Sequence, residues 1–309
     1  MKTRQLVNID SLAALCDLCG LPKPAHAHIA LIDVKRVKST MDMSKVKFSL
    51  PFYVIVLEEG VSADSRILYG QKTYDFNHGT LAFLEPGQVF ALEQATLDNM
   101  TGWWLVFHPE YLSGYPLATQ ITHYNFFSYS VHEALHLSRG ELQSIYAIFE
   151  QILCECETIH DAFTHNVIIS QIGLLLHYSN RFYHRQFATR QPQGNDYLLR
   201  FETLLDCYFN ESLEHSGVPT VQEISQRMNL SANYLSDMLR ELTGLSTQQH
   251  IHQRLIERAK NLLSTTDLSV YAIAYQLGFE HPQSFCRLFK NKTNLTPIGY
   301  RKLRQSPSI

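Results

Sequence analysis

Near its carboxyl end, from Ser269 to Lys302, the chain reads SVYAIAYQLGFEHPQSFCRLFKNKTNLTPIGYRK, and from Thr220 to Ser246 it reads TVQEISQRMNLSANYLSDMLRELTGLS. The later stretch repeats the apolar positions of the earlier one at a spacing of 49 residues, which becomes 50 after one inserted residue. Each copy has the order of a short helix, a tight turn and a second helix, which is typical of the helix-turn-helix motif. The apolar positions are Val221, Ile224, Met228, Leu235, Met238, Leu239 and Leu245, which correspond to Val270, Ile273, Leu277, Phe285, Leu288, Phe289 and Leu295.

The earlier copy has capping and turn residues where its helices would begin and end. Thr220, followed three positions later by Glu223, has the form of a capping box. Asn229 stands where the chain reverses, and Asn tolerates a left-handed backbone better than most residues. Ser231 is a suitable N-cap for the second helix, and Gly244 is a suitable end. The pattern therefore predicts two short helices with a tight turn between them.

The later copy has the same devices with different residues. Ser269 is a suitable cap for its first helix, and Gly278 suits the turn. Pro282 suits the first position of the second helix, where a missing N–H costs nothing. His281 stands where a better capping residue is common, so the start of this helix is expected to fray. Thr296-Pro297 predicts the start of a last helix.

At these residues the stretch from about 201 to 303 resembles the DNA-binding domain of the AraC/XylS family of bacterial transcription regulators. The resemblance covers about a third of the chain. It implies promoter DNA as a partner, and RNA polymerase as a further one. The motifs that carry it are Ala272-Ile273-Ala274, Leu277-Gly278-Phe279, Phe285-Cys286-Arg287-Leu288-Phe289-Lys290, Thr296-Pro297 and Tyr300-Arg301.

The polar residues of the second helix in each copy are the expected DNA contacts. Arg287 suits a guanine edge and Gln283 suits an adenine, by the geometry of their donors and acceptors. Asp237 repels phosphate, so it either reads a cytosine or orients a neighbouring Arg. The alternative is that these polar faces are only solvated. The expected contacts are Asn233, Ser236, Asp237 and Arg240, and Gln283, Ser284, Cys286, Arg287 and Lys290.

The segment between the two copies predicts a connecting helix. Ile251, Leu255, Ala259 and Leu262 form one apolar stripe that can pack against both copies and fix their separation. A single chain would then present two helices to successive major grooves, about 34 Å apart.

Charge divides along the chain in the same way. Residues 217–309 hold 11 basic and 6 acidic residues, a net charge of +5, whereas the remainder holds 15 and 23, a net charge of −8. A positive segment can displace counterions from DNA, and an acidic one stays away from it.

The amino-terminal part predicts short strands. Five runs between His26 and His108 are rich in aromatic and β-branched residues and are separated by Gly and Pro, which favours an antiparallel barrel or sandwich. The run from Gly79 through Glu85-Pro86-Gly87 resembles the cupin-like sensor domain of many AraC-family regulators. The runs are 52–57, 67–69, 81–84, 89–92 and 103–107.

The interior of that barrel is expected to be a pocket for a small-molecule effector, lined by aromatic residues. The alternative is a filled hydrophobic core, because inward aromatic residues pack any small barrel. The expected lining residues are Tyr53, Tyr74, Phe83, Phe90 and Trp104.

Metal and catalytic motifs are weak. His26 and His28 form an HxH, but no Glu follows within a few residues as in metal-binding cupins. Residues His132 to His136 match the HExxH of zinc proteases, yet Gly140 is expected to end that helix soon afterwards. Of six cysteines, Cys16 and Cys19 form a lone CxxC without a matching pair. We therefore expect no cofactor, no metal site and no enzyme activity.

Two further helical patterns lie between residues 140 and 187. They can cover the barrel, and the family resemblance also suggests a homodimer seam there. The expected domains are residues 1–186, a linker at 187–196 and a DNA-binding domain at 197–309. The expected fold class of the whole chain is α+β: an amino-terminal antiparallel β-barrel with helices is followed by an all-helical domain. The apolar positions are Leu142, Ile145, Phe149, Ile152 and Leu153 in one helix, and Ile168, Ile172, Leu175, Leu176 and Phe182 in the other.

The leading hypothesis is an effector-responsive DNA-binding regulator in the cytoplasm with its cysteines reduced. No apolar run approaches the length of about 18 residues that spans a bilayer, so no membrane partner is expected. Two alternatives remain open: a DNA binder without an effector, whose amino-terminal domain only dimerises, and an enzyme that uses the barrel or the HExxH segment.

Overall fold

The chain is described here by a computed structural model that covers residues 5–38, 46–59, 79–90, 101–130, 133–157, 161–189, 191–210 and 217–305. It divides into two compact units, Met1–Gln186 and Phe187–Ile309. The first unit is built on β-sheet with helices, and the described residues of the second unit are helical apart from turns and loops. The predicted fold class, with strands before a helical carboxyl-terminal domain, is confirmed.

The strands of the first unit form two sheets. The five-stranded sheet has the order β2-β7-β4-β5-β8 and is antiparallel throughout. The three-stranded sheet has the order β1-β3-β6, in which β1 and β3 are parallel, so this part departs from the expected antiparallel barrel. The strands are β1 (Gln5–Asn8), β2 (Ile29–Asp33), β3 (Val46–Ser49), β4 (Tyr53–Glu59), β5 (Gly79–Leu84), β6 (Val89–Phe90), β7 (Thr101–Phe107) and β8 (Leu135–Leu137).

The two sheets enclose an apolar core. Alternation along β4 and β7 sends their side chains to opposite faces of the sheet. On one face, Val54 and Val106 are paired across the strands and belong to a buried cluster that also contains Trp104. Phe48 of β3 belongs to the same cluster, so this face packs against the three-stranded sheet.

The other face of the five-stranded sheet is covered by aromatic residues and helices. The ring of Phe83 lies 4.5 Å from that of Phe126 and 5.4 Å from that of Phe127, measured between centroids.

No described helix is long and apolar enough to cross a membrane. The helices that begin in this unit are α1 (Leu12–Leu18), α2 (Leu117–Gln120), α3 (Arg139–Glu157) and α4 (Thr164–Thr189), the last of which continues into the second unit.

The second unit is a helical array around one central helix. That helix, α8, contacts α7, α9, α10 and α11, whereas α5 contacts α6 and α7. The helices are α5 (Gln191–Asn210), α6 (Val221–Arg227), α7 (Ala232–Thr243), α8 (Thr247–Thr265), α9 (Val270–Gln276), α10 (Pro282–Thr293) and α11 (Pro297–Gln305).

Several elements differ from the sequence prediction. Residues 187–189 and 191–196, expected to form a linker, are helical. Pro192 is compatible with this, because it lies in the first turn of α5, where a missing N–H costs no hydrogen bond. Gly140 does not end a helix but lies in the first turn of α3. The predicted strand at 67–69 lies outside the described residues.

Candidate nucleic-acid interface

The first helix-turn-helix, formed by α6 and α7, has a side-chain cap at the start of each helix. The Thr220 hydroxyl accepts from the Glu223 N–H at 3.2 Å, and the Glu223 carboxylate accepts from the Thr220 N–H at 2.8 Å. Hydrogen bonds from the Thr220 amide and hydroxyl lower the pKa of Glu223. Ser231 caps α7 by accepting from the Tyr234 N–H at 3.3 Å, and Asn229 takes a left-handed φ of 56° at the turn. The predicted caps and turn are confirmed.

The inner side of this unit is apolar, as the helical spacing predicts. Leu235 and Leu239 of α7 have no exposed surface, and neither does Ile224 of α6. Tyr234 is also buried, and its ring meets that of Phe187 edge to face at 5.1 Å. The outward side of α7 is therefore held in a fixed orientation by what lies beneath it.

The second helix-turn-helix, formed by α9 and α10, is less completely capped. Ser269 caps α9 by accepting from the Ala272 N–H at 3.0 Å. His281 occupies the N-cap of α10 and makes no side-chain hydrogen bond there, as the sequence suggested. Gly278 has a φ of 82°, and a Cβ at this position would lie 2.6 Å from the carbonyl carbon of Gly217. The turn thus requires glycine both for its backbone and for this close approach.

The central helix α8 connects the two helix-turn-helix motifs, which confirms its predicted role. Of the predicted stripe, Ile251, Leu255 and Ala259 are buried, whereas Leu262 is half-buried and its neighbour Leu263 is buried instead. Arg301 of α11 donates hydrogen bonds to the carbonyl oxygens of Leu263 at 3.3 Å and Leu268 at 2.6 Å, at the end of α8 and just beyond it. Arg301 therefore ties the last helix to the central one.

The polar residues of α7 interact with one another and with α8. Arg240 Nη1 donates to the Asp237 carboxylate at 2.6 Å, and 54% of the Arg240 side-chain surface stays exposed. Ser236 donates to the hydroxyl of Thr247 at 3.0 Å. Asn233 is exposed. No local pattern in the sequence indicated the Ser236 contact, because Thr247 is eleven residues away and lies on another helix.

The corresponding residues of α10 are open. Gln283, Ser284, Arg287 and Lys290 are all exposed, and within the described part of the chain no side-chain hydrogen bond or ion pair engages them. Cys286 is half-buried, and burial raises the pKa of its thiol. The helix itself is anchored from below by Phe285 and Phe289, which are buried. Four long or polar side chains thus project from a fixed support.

The aromatic residues predicted to line one effector pocket do not share a face of the sheet. Tyr53 and Phe83 lie on the side where Phe126 and Phe127 pack, and the Tyr53 ring lies 5.0 Å from that of Phe127. Trp104 and Phe90 belong to the cluster between the two sheets. The fifth residue, Tyr74, lies outside the described residues. A single pocket therefore cannot contain all of the described residues of this set.

The HExxH segment does not form the helix that its proposed chemistry needs. Residues Leu135–Leu137 are strand β8, so successive side chains alternate between faces. Glu133 is fully buried, and its carboxylate accepts from the Ser130 N–H at 2.7 Å. His132 lies outside the described residues.

One group of metal-ligating side chains does come together within the described residues. Ligand atoms of His28, His108 and Glu110 all lie within 4.8 Å of one another. The sequence did not predict this group, because His108 and Glu110 lie about eighty positions after the HxH of His26 and His28.

Two family models match this chain. The family described as "Helix-turn-helix domain" matches residues 224–303, and the family described as "AraC-like ligand binding domain" matches residues 54–162. Among curated proteins, the HTH-type transcriptional regulator YijO of Escherichia coli is 31% identical over 102 residues, which are 33% of this chain and 35% of that protein. YtdP of Bacillus subtilis, also an HTH-type transcriptional regulator, is 33% identical over 87 residues, which are 28% of this chain and 11% of that protein. The matched segment thus spans about a third or less of these relatives.

Solved structures similar to part of this chain include the carboxyl-terminal domain of the two-component response regulator yesN from Fusobacterium nucleatum. It is 37% identical with a TM-score of 0.29, over 32% of this chain and 96% of that one. The DNA-binding domain of AdpA, solved in complex with a target DNA, is 22% identical with a TM-score of 0.31, over 34% of this chain and 93% of that one.

Proposed function

We propose that the chain is a sequence-specific transcription regulator of the AraC type, because residues 54–162 match an AraC-like ligand binding domain and residues 224–303 match a helix-turn-helix domain. It binds promoter DNA through α7 and α10, and a small molecule bound by the first unit controls that binding. The observation that carries the proposal is the open polar face of α10 above a buried aromatic support.

Direct reading of bases is assigned to α10. Arg287 carries two parallel donors that suit the acceptors of guanine, and the Gln283 amide matches adenine. Lys290, one helical turn beyond Cys286, suits a phosphate contact as a point charge. Because no described intramolecular partner engages Arg287, it loses no ion pair when it moves onto a base.

The first motif has a more preformed reading helix. Arg240 is held by Asp237, so the pair offers a donor group of fixed orientation. We assign to Asp237 the second of its two predicted roles, orientation of a neighbouring Arg. An Asp237→Asn variant tests the assignment: we expect weaker binding with the same base preference, whereas a changed preference at a cytosine would assign Asp237 to direct reading.

The packing of α7 and α10 on α8 supports the proposed distance between the two reading helices. α8 contacts α7 and α10, so the two reading helices belong to one packed array. In this proposal they enter successive major grooves about 34 Å apart. The net charge of +5 over residues 217–309 supplies a modest attraction to phosphate.

The test is selection of bound sequences from random double-stranded DNA by the purified full chain. We expect enrichment of two short conserved blocks whose centres are about one helical turn, 10 to 10.5 base pairs, apart. A pool without enrichment would overturn the proposal, and a single enriched block would overturn the two-groove arrangement.

Effector control rests on a buried polar atom of the first unit. Trp104 is 7% exposed, and within the described residues its indole N–H has no hydrogen-bond partner. A buried donor without a partner is costly, so an effector that reached it would need a hydrogen-bond acceptor. Such an effector changes DNA affinity only if it binds two domain arrangements with different affinity.

A second candidate is a DNA binder without an effector. The packing of Tyr53 and Phe83 against Phe127 favours it, because these rings already fill one side of the sheet. Selection of DNA sequences with and without a metabolite library separates the two: enrichment that no metabolite changes would support the second candidate.

The remaining partners are proposed on narrower grounds. On α4, Val167 and Leu174 are 37% and 43% exposed and lie seven residues apart, so they share a helix face that suits a second copy of the chain. We expect Leu174→Asp to shift sedimentation toward monomer, with Asn180→Asp on the same helix as control. RNA polymerase as a partner, and the cytoplasm as the location, follow from the proposed action at promoters.

A further inference from the structure

His28 and His108 are brought side by side by the sheet. They are the next positions beyond the Ile29 and Phe107 pair that joins β2 to β7. The His108 N–H donates to the carbonyl oxygen of His28 at 2.8 Å, which extends the ladder by one bond. The centroids of the two imidazole rings lie 5.6 Å apart. Their neighbourhood is therefore set by backbone pairing and does not depend on flexible loops.

Glu110 places a carboxylate against both rings. Its Oε2 atom lies 3.9 Å from Nδ1 of His28 and 3.6 Å from Nδ1 of His108. Donors held about 2.0 to 2.1 Å from a tetrahedral zinc ion lie about 3.4 Å from each other. The two separations thus exceed the ideal by a few tenths of an ångström, which side-chain rotation can supply.

The rings are also supported from behind. Phe52, which is buried, meets His108 edge to face at 5.5 Å. The His28 N–H donates to Nδ1 of His26 at 3.1 Å, and the His26 ring lies 5.3 Å from that of Tyr111. The cluster therefore has an ordered background in addition to three donors.

We propose that His28, His108 and Glu110 bind one divalent transition-metal ion of the Zn²⁺ class. Two imidazoles and one carboxylate form a donor set that zinc accepts, and such three-residue sets leave a fourth position for water or another ligand. Side-chain exposures of 43% for His28 and 70% for Glu110 leave that position accessible. The proposal does not depend on whether the chain binds DNA.

One existing hydrogen bond competes with this ion. The Glu110 N–H donates to Nδ1 of His108 at 3.2 Å. If the metal binds at that nitrogen, this hydrogen bond is lost. An ion held at all three ligand atoms would replace this single hydrogen bond with three bonds to the metal.

The test is calorimetric titration of the full chain with Zn²⁺, since other histidines and cysteines add a background that variants must separate. We expect His28→Ala and Glu110→Gln each to weaken one binding event on the order of 10- to 100-fold, the range that even outer-shell changes produce. The matched controls are His123→Ala and Glu150→Gln, which remove an exposed side chain of the same type elsewhere.

Glu110→Gln keeps the shape of the side chain, so its effect does not depend on refolding, and circular dichroism of each variant checks the fold. Loss in the two cluster variants with unchanged controls would support the site. The proposal is overturned if the wild-type chain does not bind Zn²⁺, if the cluster variants bind as wild type, or if the controls lose as much.

Discussion

The two helix-turn-helix motifs of this chain have the same backbone plan but differ in how their reading helices are held. In the first, Ser231 caps α7, Asp237 holds Arg240, and Ser236 is bonded to Thr247 of the next helix. In the second, α10 starts without a side-chain cap, and its outward residues have no described partners. One reading surface is therefore preformed, and the other is left open.

This difference separates two ways of reading DNA. A preformed side chain loses little conformational entropy when it binds DNA. Its internal hydrogen bond or ion pair is lost, however, if the side chain must move to reach a base. An open side chain pays the entropy of ordering yet leaves no partner behind. We therefore expect the second motif to respond most to removal of a single side chain, and the first to respond most to changes in its internal bonds.

The largest expected effect lies in the supports of the two helices. Phe289→Ala and Leu239→Ala truncate residues with no exposed surface at corresponding positions of the two motifs. The cavities should lower the free energy of unfolding by about 3 to 5 kcal/mol for Phe289 and about 2 to 5 kcal/mol for Leu239. Urea titration followed by circular dichroism measures both.

The only tryptophans of the chain, Trp103 and Trp104, lie in the other unit, so their fluorescence serves as the internal control for this experiment. We expect the midpoint of that fluorescence transition to stay unchanged. A loss below about 1 kcal/mol in either variant would show that the site relaxes and that the helix is not supported as described.

The next effect concerns DNA binding. Arg287→Ala should weaken binding to a selected sequence by about 1 to 3 kcal/mol and relax the choice at one base pair. Arg240→Ala should cost less, because Asp237 already compensates part of the Arg240 charge, which leaves less of that charge for DNA. Fluorescence anisotropy with labelled DNA measures both, and Arg36→Ala, an exposed arginine of the other unit, controls for charge. Equal losses of affinity in all three variants would show that net charge, and not the contact made by each arginine, determines the effect.

Helix caps give a smaller effect that differs in sign between the motifs. Ser231→Ala removes a cap and should destabilise by about 1 kcal/mol. His281→Ser supplies one that is missing and should stabilise by about 0.5 kcal/mol. Thermal unfolding of the two variants beside the wild-type chain checks the signs. If both lower the melting temperature, the start of α10 is held by something other than a cap.

The smallest expected effect is a difference in pH dependence. The pKa of Glu223 is lowered in the fold by its bonds to Thr220, so its contribution to stability is complete above the unfolded value of about 4.3 and is lost as pH falls through the folded value. Glu223→Gln keeps the capping box but cannot titrate, and should cost about 0.3 kcal/mol at pH 7. Below the folded pKa the two proteins should converge.

The capping box of Ser246 with Gln249 already has this uncharged form, so Gln is a compatible replacement for Glu223. Urea midpoints measured from pH 3 to pH 7 make the comparison. If the urea midpoints of Glu223→Gln and wild type differed by the same amount at every pH, protonation of Glu223 would not be coupled to unfolding.

The elements that the sequence predicted well are those whose signals are local. Caps at Thr220, Ser231 and Ser269 each act within three residues, and Gly278 and Asn229 mark turns through their own backbone preference. The strand runs at β4, β5 and β7 carried enough apolar residues to be recognised. The start of α5 was missed because proline and polar residues there also suit a loop, and only the helical context decides between them.

Contacts between distant residues could not be predicted in the same way. The helical pattern places both Ser236 and Arg240 on the polar face of α7, and it does not show that Ser236 bonds to Thr247 and Arg240 to Asp237. The predicted aromatic pocket was divided because strand alternation sends Phe83 and Trp104 to opposite faces. His28 and Glu110 meet only because β2 pairs with β7.

The sequence by itself determined the order of helices and turns in the carboxyl-terminal unit, since helix periodicity, caps and left-handed turns are encoded within a few neighbouring residues. Only the tertiary structure decided which polar side chains are engaged and which stay open, because pairing between strands and packing between helices bring together residues that no local spacing relates. The contrast between α7 and α10 belongs to this second class.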